Sequence, residues 1–340
     1  AASSARPTDY AVVVDTSQSM TGARLARATR LATALVSELD RRHRVTVLAC
    51  DLGCRSAFDA PEIPGAEAAE KARVFLASRR AAGSSDVSAS IEAAADALLR
   101  SGRSGARTVI YVGDGTSTTG ATTLAELRRA AERIARKAVT VTTVGIGQDA
   151  DSAALSTLAR IGGGHHVPFV PGQSTLEAAM AVLETTYGTA LVDATVTLPP
   201  GLSDVAPSAL PSLRAGEELT LAARVSGTVE GELVLRGKLG GAPFERRYPI
   251  RLADGATTTN SFVPRVWAEK RIGDLELEGG SEATPTLVAL SKSYGVMSRS
   301  TSLLVLESEA MFKAFGLNKD GVSTTFTGEQ SAQSSSSDAD

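Results

Sequence analysis

A doubly wound α/β fold, with a mainly parallel sheet and helices on both faces, is the architecture this sequence predicts. A smaller antiparallel β domain with an accessory helix is expected behind it. Three observations carry the prediction. Short β-branched runs alternate with longer amphipathic segments through the first half of the chain, as in successive βαβ units. After about Ala190 the texture changes to apolar/polar alternation with Gly and Pro at the turns, which describes antiparallel strands. The 340 residues are also enough for two ordinary domains, each with its own core.

Taken in order, "YAVVVD", "RVTVLACD", "RTVIYVGD", "AVTVTTVGIG" and "HHVPFV" read as strands buried on both faces. "SAFDAP" adds a short edge strand, limited by Pro61. In "GARLARATRLATALVSELD", Leu25, Ala28, Leu31, Leu35 and Leu39 recur at helical spacing, with arginines on the other side. "DVSASIEAAADALLRS", "TTLAELRRAAERIARK" and "DSAALSTLARIGGG" repeat the pattern, the last stopping on glycines suited to a helix C-terminus. These elements place the α/β domain at 8–190 and the antiparallel β domain at 191–262. Residues 263–316 are read as an accessory helix and strand packing on the β domain. The helix is "FVPRVWAEKRIGDLEL", with Val266, Ile272 and Leu275 on one side, and the strand is "TSLLVLE". Residues 317–340 form a polar, Ser-rich tail expected to be disordered.

Composition narrows the function classes. Apolar residues make up 43% and charged residues 21%, the globular range, and the net charge of -3 gives no reason to expect binding to nucleic acid or an anionic membrane. No apolar run approaches the roughly 20 residues of a membrane span, so no direct membrane insertion is expected. The opening "AASSARP" lacks the charged start and apolar core of a signal peptide and reads as a linker. Cys50 and Cys54 stand close together in "LACDLGC". A disulfide, which would fit an oxidising compartment, and a pair of half-buried thiols are both open readings. An extracellular or cell-envelope location is expected.

Chemistry concentrates at the ends of two strands. Asp15 closes the first, followed at alternate positions by Ser17 and Ser19, and Asp114 closes "TVIYVGD". Between them, the loop "AAGSSDVSAS" opens a helix and offers Ser84 and Ser85. In a doubly wound sheet, ligands bind outside the carboxyl ends of strands where the strand order reverses. If the two strands flank that point, both carboxylates and the hydroxyls reach one crevice. Such hard oxygen donors suit Mg²⁺, Ca²⁺ or Mn²⁺. Taken alone, Asp15, Ser17 and Ser19 read equally well as a helix N-cap cluster; Ser85 and Asp114 turn the balance toward a cation.

On these residues the first half resembles the von Willebrand factor A domain, a Rossmann-like fold. "VVVDTSQSM" resembles the Asp-x-Ser-x-Ser signature of its metal-ion-dependent adhesion site. "GSSDVSASIEAA" is similar to a loop that usually carries threonine where Ser85 stands, and "VIYVGDGTST" to a segment that usually reads Thr-Asp-Gly. "TTVGIGQDADSAALSTLARIGGG" is similar to the later strand and helix of the family. The resemblance implies direct ligation by Ser17 and Ser19, direct or water-mediated ligation by Asp15 and Asp114, and the same for Ser85. Mg²⁺ is the expected ion, with Ca²⁺ or Mn²⁺ as alternatives. The implied partner is a protein whose Glu or Asp completes the coordination sphere. Gly113 departs from the usual threonine, which implies a more flexible loop. A weaker resemblance links "FVPRVWAEKRIGDLEL" and "LVALSKSYGVMSRSTSLLVLE" to bacterial proteins related to inter-alpha-trypsin inhibitor heavy chains.

The leading expectation is a non-enzymatic, cation-dependent protein-binding module; nothing in the sequence fixes its oligomeric state. A metal-dependent hydrolase and a structural assembly subunit with a stabilising metal are the alternatives. Gly-x-Ser-x-Gly, Gly-x-x-x-x-Gly-Lys and His-Glu-x-x-His motifs are absent, and Ser17 and Ser19 lack an evident partner base. His165 and His166 are assigned structural roles, His43 a solvated loop position, Asp51 a turn, and Trp267 an interdomain packing anchor.

Overall fold

The first strand, β1 (Thr8–Asp15), is buried along nearly its whole length, as the inner strand of a sheet covered on both sides must be. The computed structural model describes residues 7–170, 172–187, 190–214, 218–239, 242–252, 262–278 and 282–302. Alternate β1 side chains divide between two cores: Tyr10, Val12 and Val14 face one, Ala11 and Val13 the other. The sheet continues through β2 (Arg44–Cys50), β3 (Cys54–Ser56), β4 (Ala106–Gly113), β5 (Thr140–Gly145) and β6 (Gly163–Pro168), in the order β3-β2-β1-β4-β5-β6. All its pairings are parallel except the β2–β3 hairpin at one edge.

Three helices cover each face. On the Tyr10 side lie α1 (Ala23–Glu38), α2 (Ala66–Ala77) and a later helix at Thr175–Thr186. On the other lie α3 (Val87–Arg100), α4 (Leu124–Ala135) and α5 (Ser152–Ile161). The helix at Thr175–Thr186 is α6. α1 buries Ala28, Leu31, Ala32, Leu35 and Val36, the stripe that a 3.6-residue period predicts. Caps fix the starts: Asp86 accepts from the Ala89 N–H and Asp151 from the Ala154 N–H, while Thr123–Glu126 and Ser174–Glu177 form capping boxes. Periodicity does not single out α2 and α6. Their buried faces are largely alanine (Ala68, Ala69 and Ala72; Ala178 and Ala179), which gives little apolar contrast.

Two local expectations need correction. The edge strand is Cys54–Ser56 rather than "SAFDAP", because a tight turn at Asp51–Gly53 sends the chain straight back along β2. His43 is not solvated but 1% exposed. Its Nδ1 accepts the Thr8 N–H at 3.0 Å, and its ring meets Tyr10 edge-on and stacks on Tyr187. The loop that carries it folds back over the start of β1, so the charged neighbours in sequence hide a buried position.

Cys50 and Cys54 form a disulfide across that turn, and Asp51 shapes it by accepting the Gly53 N–H at 3.1 Å. Replacing both cysteines by serine is expected to cost about 2 kcal/mol, the chain-entropy value for so short a loop. The measurement is a urea titration, with a lower midpoint and an unchanged slope as the expected result. An unchanged midpoint would remove the disulfide from the stability of this edge.

The second half is built from short antiparallel sheets. β7 (Ala190–Thr197), β8 (Leu202–Ala206), β9 (Leu213–Arg214), β10 (Ala222–Val225), β11 (Val229–Leu239) and β12 (Ala242–Leu252) form a β12-β11-β7-β9 sheet and a β10-β8 pair. Two helices follow, α7 (Val263–Glu278) and α8 (Thr284–Tyr294), where the sequence reading has one. Trp267 is buried with Ala206, Ala222 and Ala268, donates its indole N–H to the Asp204 carbonyl at 2.6 Å, and lies under the Arg224 guanidinium. It therefore pins α7 to the β10-β8 pair. Contact with the α/β domain runs through Arg128, which donates to the Leu277 carbonyl, and through the Arg299–Asp151 ion pair. The strand expected in "TSLLVLE" lies, from residue 303 onward, outside the described residues, as does the tail at 317–340.

Candidate functional site

Because β1 pairs with both β2 and β4, the strand order reverses at β1, and the crevice opens beyond the carboxyl ends of β1 and β4. Asp15 is the last residue of β1 and Asp114 follows the last residue of β4. Both are 2% exposed, and Ser17 and Ser85 are buried beside them; Ser19 is half-buried. Ser17 and Ser19 lie on the tight turn after β1, their hydroxyls 3.1 Å apart. Ser85 precedes α3 and donates its hydroxyl to Asp15 Oδ2 at 3.3 Å across 70 residues of sequence. The fold thus gathers all five predicted residues at one edge of the sheet.

The loops around them brace one another through the backbone. The Gln18 N–H donates to the Gly83 carbonyl, and the Ala82 N–H to the Thr16 carbonyl, joining the turn after β1 to the Ser85 loop. Thr118 fixes Ser85 from both sides: its hydroxyl accepts the Ser85 N–H at 2.9 Å, and its own N–H donates to the Ser85 carbonyl at 2.9 Å. Asp114 caps its own turn by accepting the Thr116 N–H at 3.0 Å.

Besides Thr118, three participants escaped the sequence reading. Tyr111 donates its phenol to Asp15 Oδ2 at 2.6 Å, while the Ser17 N–H donates to Asp15 Oδ1 at 2.8 Å. Tyr111 reaches Asp15 because Gly113 leaves room: a Cβ there would stand 2.5 Å from the Tyr111 hydroxyl and 2.6 Å from Asp15 Cβ. The glycine therefore serves packing at this strand end. Arg24 and Asp149 complete the rim. Arg24 Nη1 lies 3.6 Å from Asp114 Oδ2 and donates to the Ser19 carbonyl at 3.3 Å, while Nη2 donates to both oxygens of Asp149 at 2.6 and 2.8 Å. Tyr111 had one legible signal, a hydroxyl-bearing aromatic two residues before a strand-end glycine. Arg24 sits in the first turn of α1, where a cation opposes the helix dipole.

Burial pushes the Asp15 carboxyl above its ordinary value, against hydrogen bonds from Ser17 and Tyr111 that lower it, and the neighbouring Asp114 adds to the rise. Burial likewise drives the Tyr111 phenol far up, so it stays a donor. Two buried carboxylates at close quarters, with three hydroxyls beside them, fit a hard divalent cation. Among the described residues, no group of three or more His, Cys, Asp and Glu gathers as a metal site, so a cation taken here rests on serine hydroxyls as well as carboxylates. His166, read as structural, bonds through Nδ1 to the Thr143 hydroxyl at 3.1 Å, within the sheet.

Comparison with known proteins adds the family. A family model for the von Willebrand factor type A domain matches residues 9–181, just over half of the chain. No curated protein matches the sequence. Among solved structures, the chain is similar to a von Willebrand factor type A protein from Catenulispora acidiphila, at 16% identity over 85% of this chain and 80% of that one, with a TM-score of 0.52. It is also similar to the ArnB paralog VWA2 from Sulfolobus acidocaldarius, at 14% identity over 85% and 80%, with a TM-score of 0.46. A third likeness is to an aerotolerance-related membrane protein from Bacteroides fragilis, at 17% identity over 52% and 98%, with a TM-score of 0.42. No helix among the described residues is long and apolar enough to cross a membrane. Domains of the matched family are in general protein-interaction modules. The match over residues 9–181, together with the β3-β2-β1-β4-β5-β6 sheet wrapped by three helices on each face, places this chain in the von Willebrand factor type A domain family.

Proposed function

We propose that this chain is a divalent-cation-dependent protein-binding module, with Asp15, Ser17, Ser19, Ser85 and Asp114 as the cation's donors. The observation behind the proposal is the crevice itself: two buried carboxylates and three hydroxyls converge where the strand order reverses. When bound, Mg²⁺ (or Ca²⁺ or Mn²⁺) supplies positive charge and an open position for a partner's Glu or Asp. Asp15 and Asp114 supply the compensating charge, Tyr111 holds Asp15 in place, and Thr118 holds Ser85. The Ser17 and Ser19 hydroxyls lie 3.1 Å apart, as two donors sharing one ion would. The strands after residue 190 and α7 act as a spacer that orients the domain, in keeping with the resemblance to inter-alpha-trypsin inhibitor-like proteins. The Cys50–Cys54 disulfide favours an extracellular or envelope location.

The test is affinity capture from an extract of the native host, in Mg²⁺ and in EDTA, with wild type and Asp15→Ala. A partner retained by wild type in Mg²⁺ alone is the expected result. Equal retention in all four conditions would refute cation dependence.

Acid is expected to weaken the cation. Asp15 must be ionised to bind it, and its carboxyl sits above the ordinary 3.8. As pH falls through that raised value, a proton competes, and apparent Mn²⁺ affinity drops by up to about tenfold per pH unit. In cation-free protein, the stability due to this group is fully present below 3.8 and is lost as pH rises through the folded value. The cation therefore stabilises most at neutral pH. Mn²⁺ titrations from neutral pH down to the ordinary carboxylate value of 3.8 check this, and a pH-independent affinity over that range would contradict it.

A further inference from the structure

Arg24 stands where helix physics disfavours it. It is the second residue of α1, where the positive end of the helix dipole repels a cation, and the first turn carries no acidic residue to offset it. Its guanidinium bridges two carboxylates drawn from distant parts of the chain. Nη2 lies on both oxygens of Asp149, which is 67% exposed and follows β5, while Nη1 reaches within 3.6 Å of Asp114 Oδ2 and bonds the Ser19 carbonyl. One unit of positive charge is thus held against a donor of the proposed cation site, and its grip on that donor is divided with a residue outside the donor set. A local rule broken at a functional edge, with a specific contact network in return, is the pattern expected of a working residue.

We propose that Arg24 is a built-in competitor for Asp114 that sets how tightly the crevice takes a divalent cation, and that Asp149 tunes it by drawing the guanidinium away. The inference rests on the cation reading above. With Asp149 in place, the guanidinium spends its paired hydrogen bonds at the rim and touches Asp114 through one nitrogen. Without Asp149, both nitrogens are free to turn onto Asp114, and the local negative charge that attracts the cation also falls. The side chain is 32% exposed, so salt screens part of the effect.

The probes are Mn²⁺, followed by electron paramagnetic resonance of the free ion, and Mg²⁺, followed by calorimetry. The proteins are wild type, Arg24→Gln, Asp149→Asn, the double variant and Asp15→Ala, with a thermal melt of each to verify folding. Arg24→Gln is expected to bind about tenfold tighter at low salt, as one charge removed at this separation warrants, with the gain shrinking in ~0.5 M salt. Asp149→Asn is expected to bind about threefold more weakly, and less so when Arg24 is already glutamine, which is the coupling a double-mutant cycle detects. Equal or weaker binding by folded Arg24→Gln, while Asp15→Ala loses binding, would overturn the inference and leave the cation site standing. Absence of binding in wild type and Arg24→Gln alike would overturn the cation reading and this inference with it.

Discussion

Asp15→Ala is expected to lower Mn²⁺ affinity by at least about a hundredfold, the loss that follows when one of two charged donors leaves a site otherwise made of hydroxyls. Both oxygens of Asp15 are engaged: Oδ1 by the Ser17 N–H, Oδ2 by Tyr111 and Ser85. The substitution thus removes a donor and the hub that positions two others. The thermal consequence is measurable without any partner. A cation at about a hundred times its Kd stabilises the folded state by roughly 2.7 kcal/mol, which for a domain of this size is about 5–10 °C in melting temperature. Wild type should show that rise on adding Mn²⁺, and Asp15→Ala should melt at one temperature with or without it. An identical rise in both proteins would mean that any bound cation sits elsewhere.

Gly113→Ala is the second large effect. A single methyl at this strand end meets the Tyr111 hydroxyl at 2.5 Å and Asp15 Cβ at 2.6 Å. The Tyr111 ring is fully buried and Asp15 Cβ is fixed to the backbone of β1, so β1 and β4 must separate or bend. Overpacking of this kind costs about 3 kcal/mol, or roughly 6–12 °C in melting temperature. Tyr111 also loses its place on Asp15, so cation affinity should fall along with stability. A Gly113→Ala protein as stable as wild type would show that the edge has slack that the packing denies. The threonine that the family resemblance leads one to expect at this position would add still more bulk. This chain instead combines glycine with a tyrosine hydroxyl on Asp15.

Much of the architecture was legible because its signals are local. Strands buried on both faces announce themselves as β-branched runs, and α1 shows its stripe from Leu25 to Leu39. Asp15, Ser17 and Ser19 declare themselves by alternate spacing within one turn. Where local contrast was weak, reading failed: α2 and α6 bury alanine, and His43 hides among charged neighbours while packing between Tyr10 and Tyr187. The edge strand was misplaced because the tight, disulfide-closed turn determines where β3 begins.

By itself, then, the sequence determined the fold class, the five long strands of the main sheet with α1, α3, α4 and α5 between them, and the polar cluster at the end of β1, since each follows from periodicity and spacing within a single element. Tertiary structure alone decided which distant groups meet that cluster. Strand order at β1 and β4 brought Tyr111 to Asp15 across 96 residues and Asp149 to Arg24 across 125, whereas Ser85, 70 residues from Asp15, was already implied by the family resemblance. The physical reason is that such contacts depend on how the sheet pairs and on what space a neighbour leaves, as Gly113 does for Tyr111. Neither is written in any one stretch of the chain.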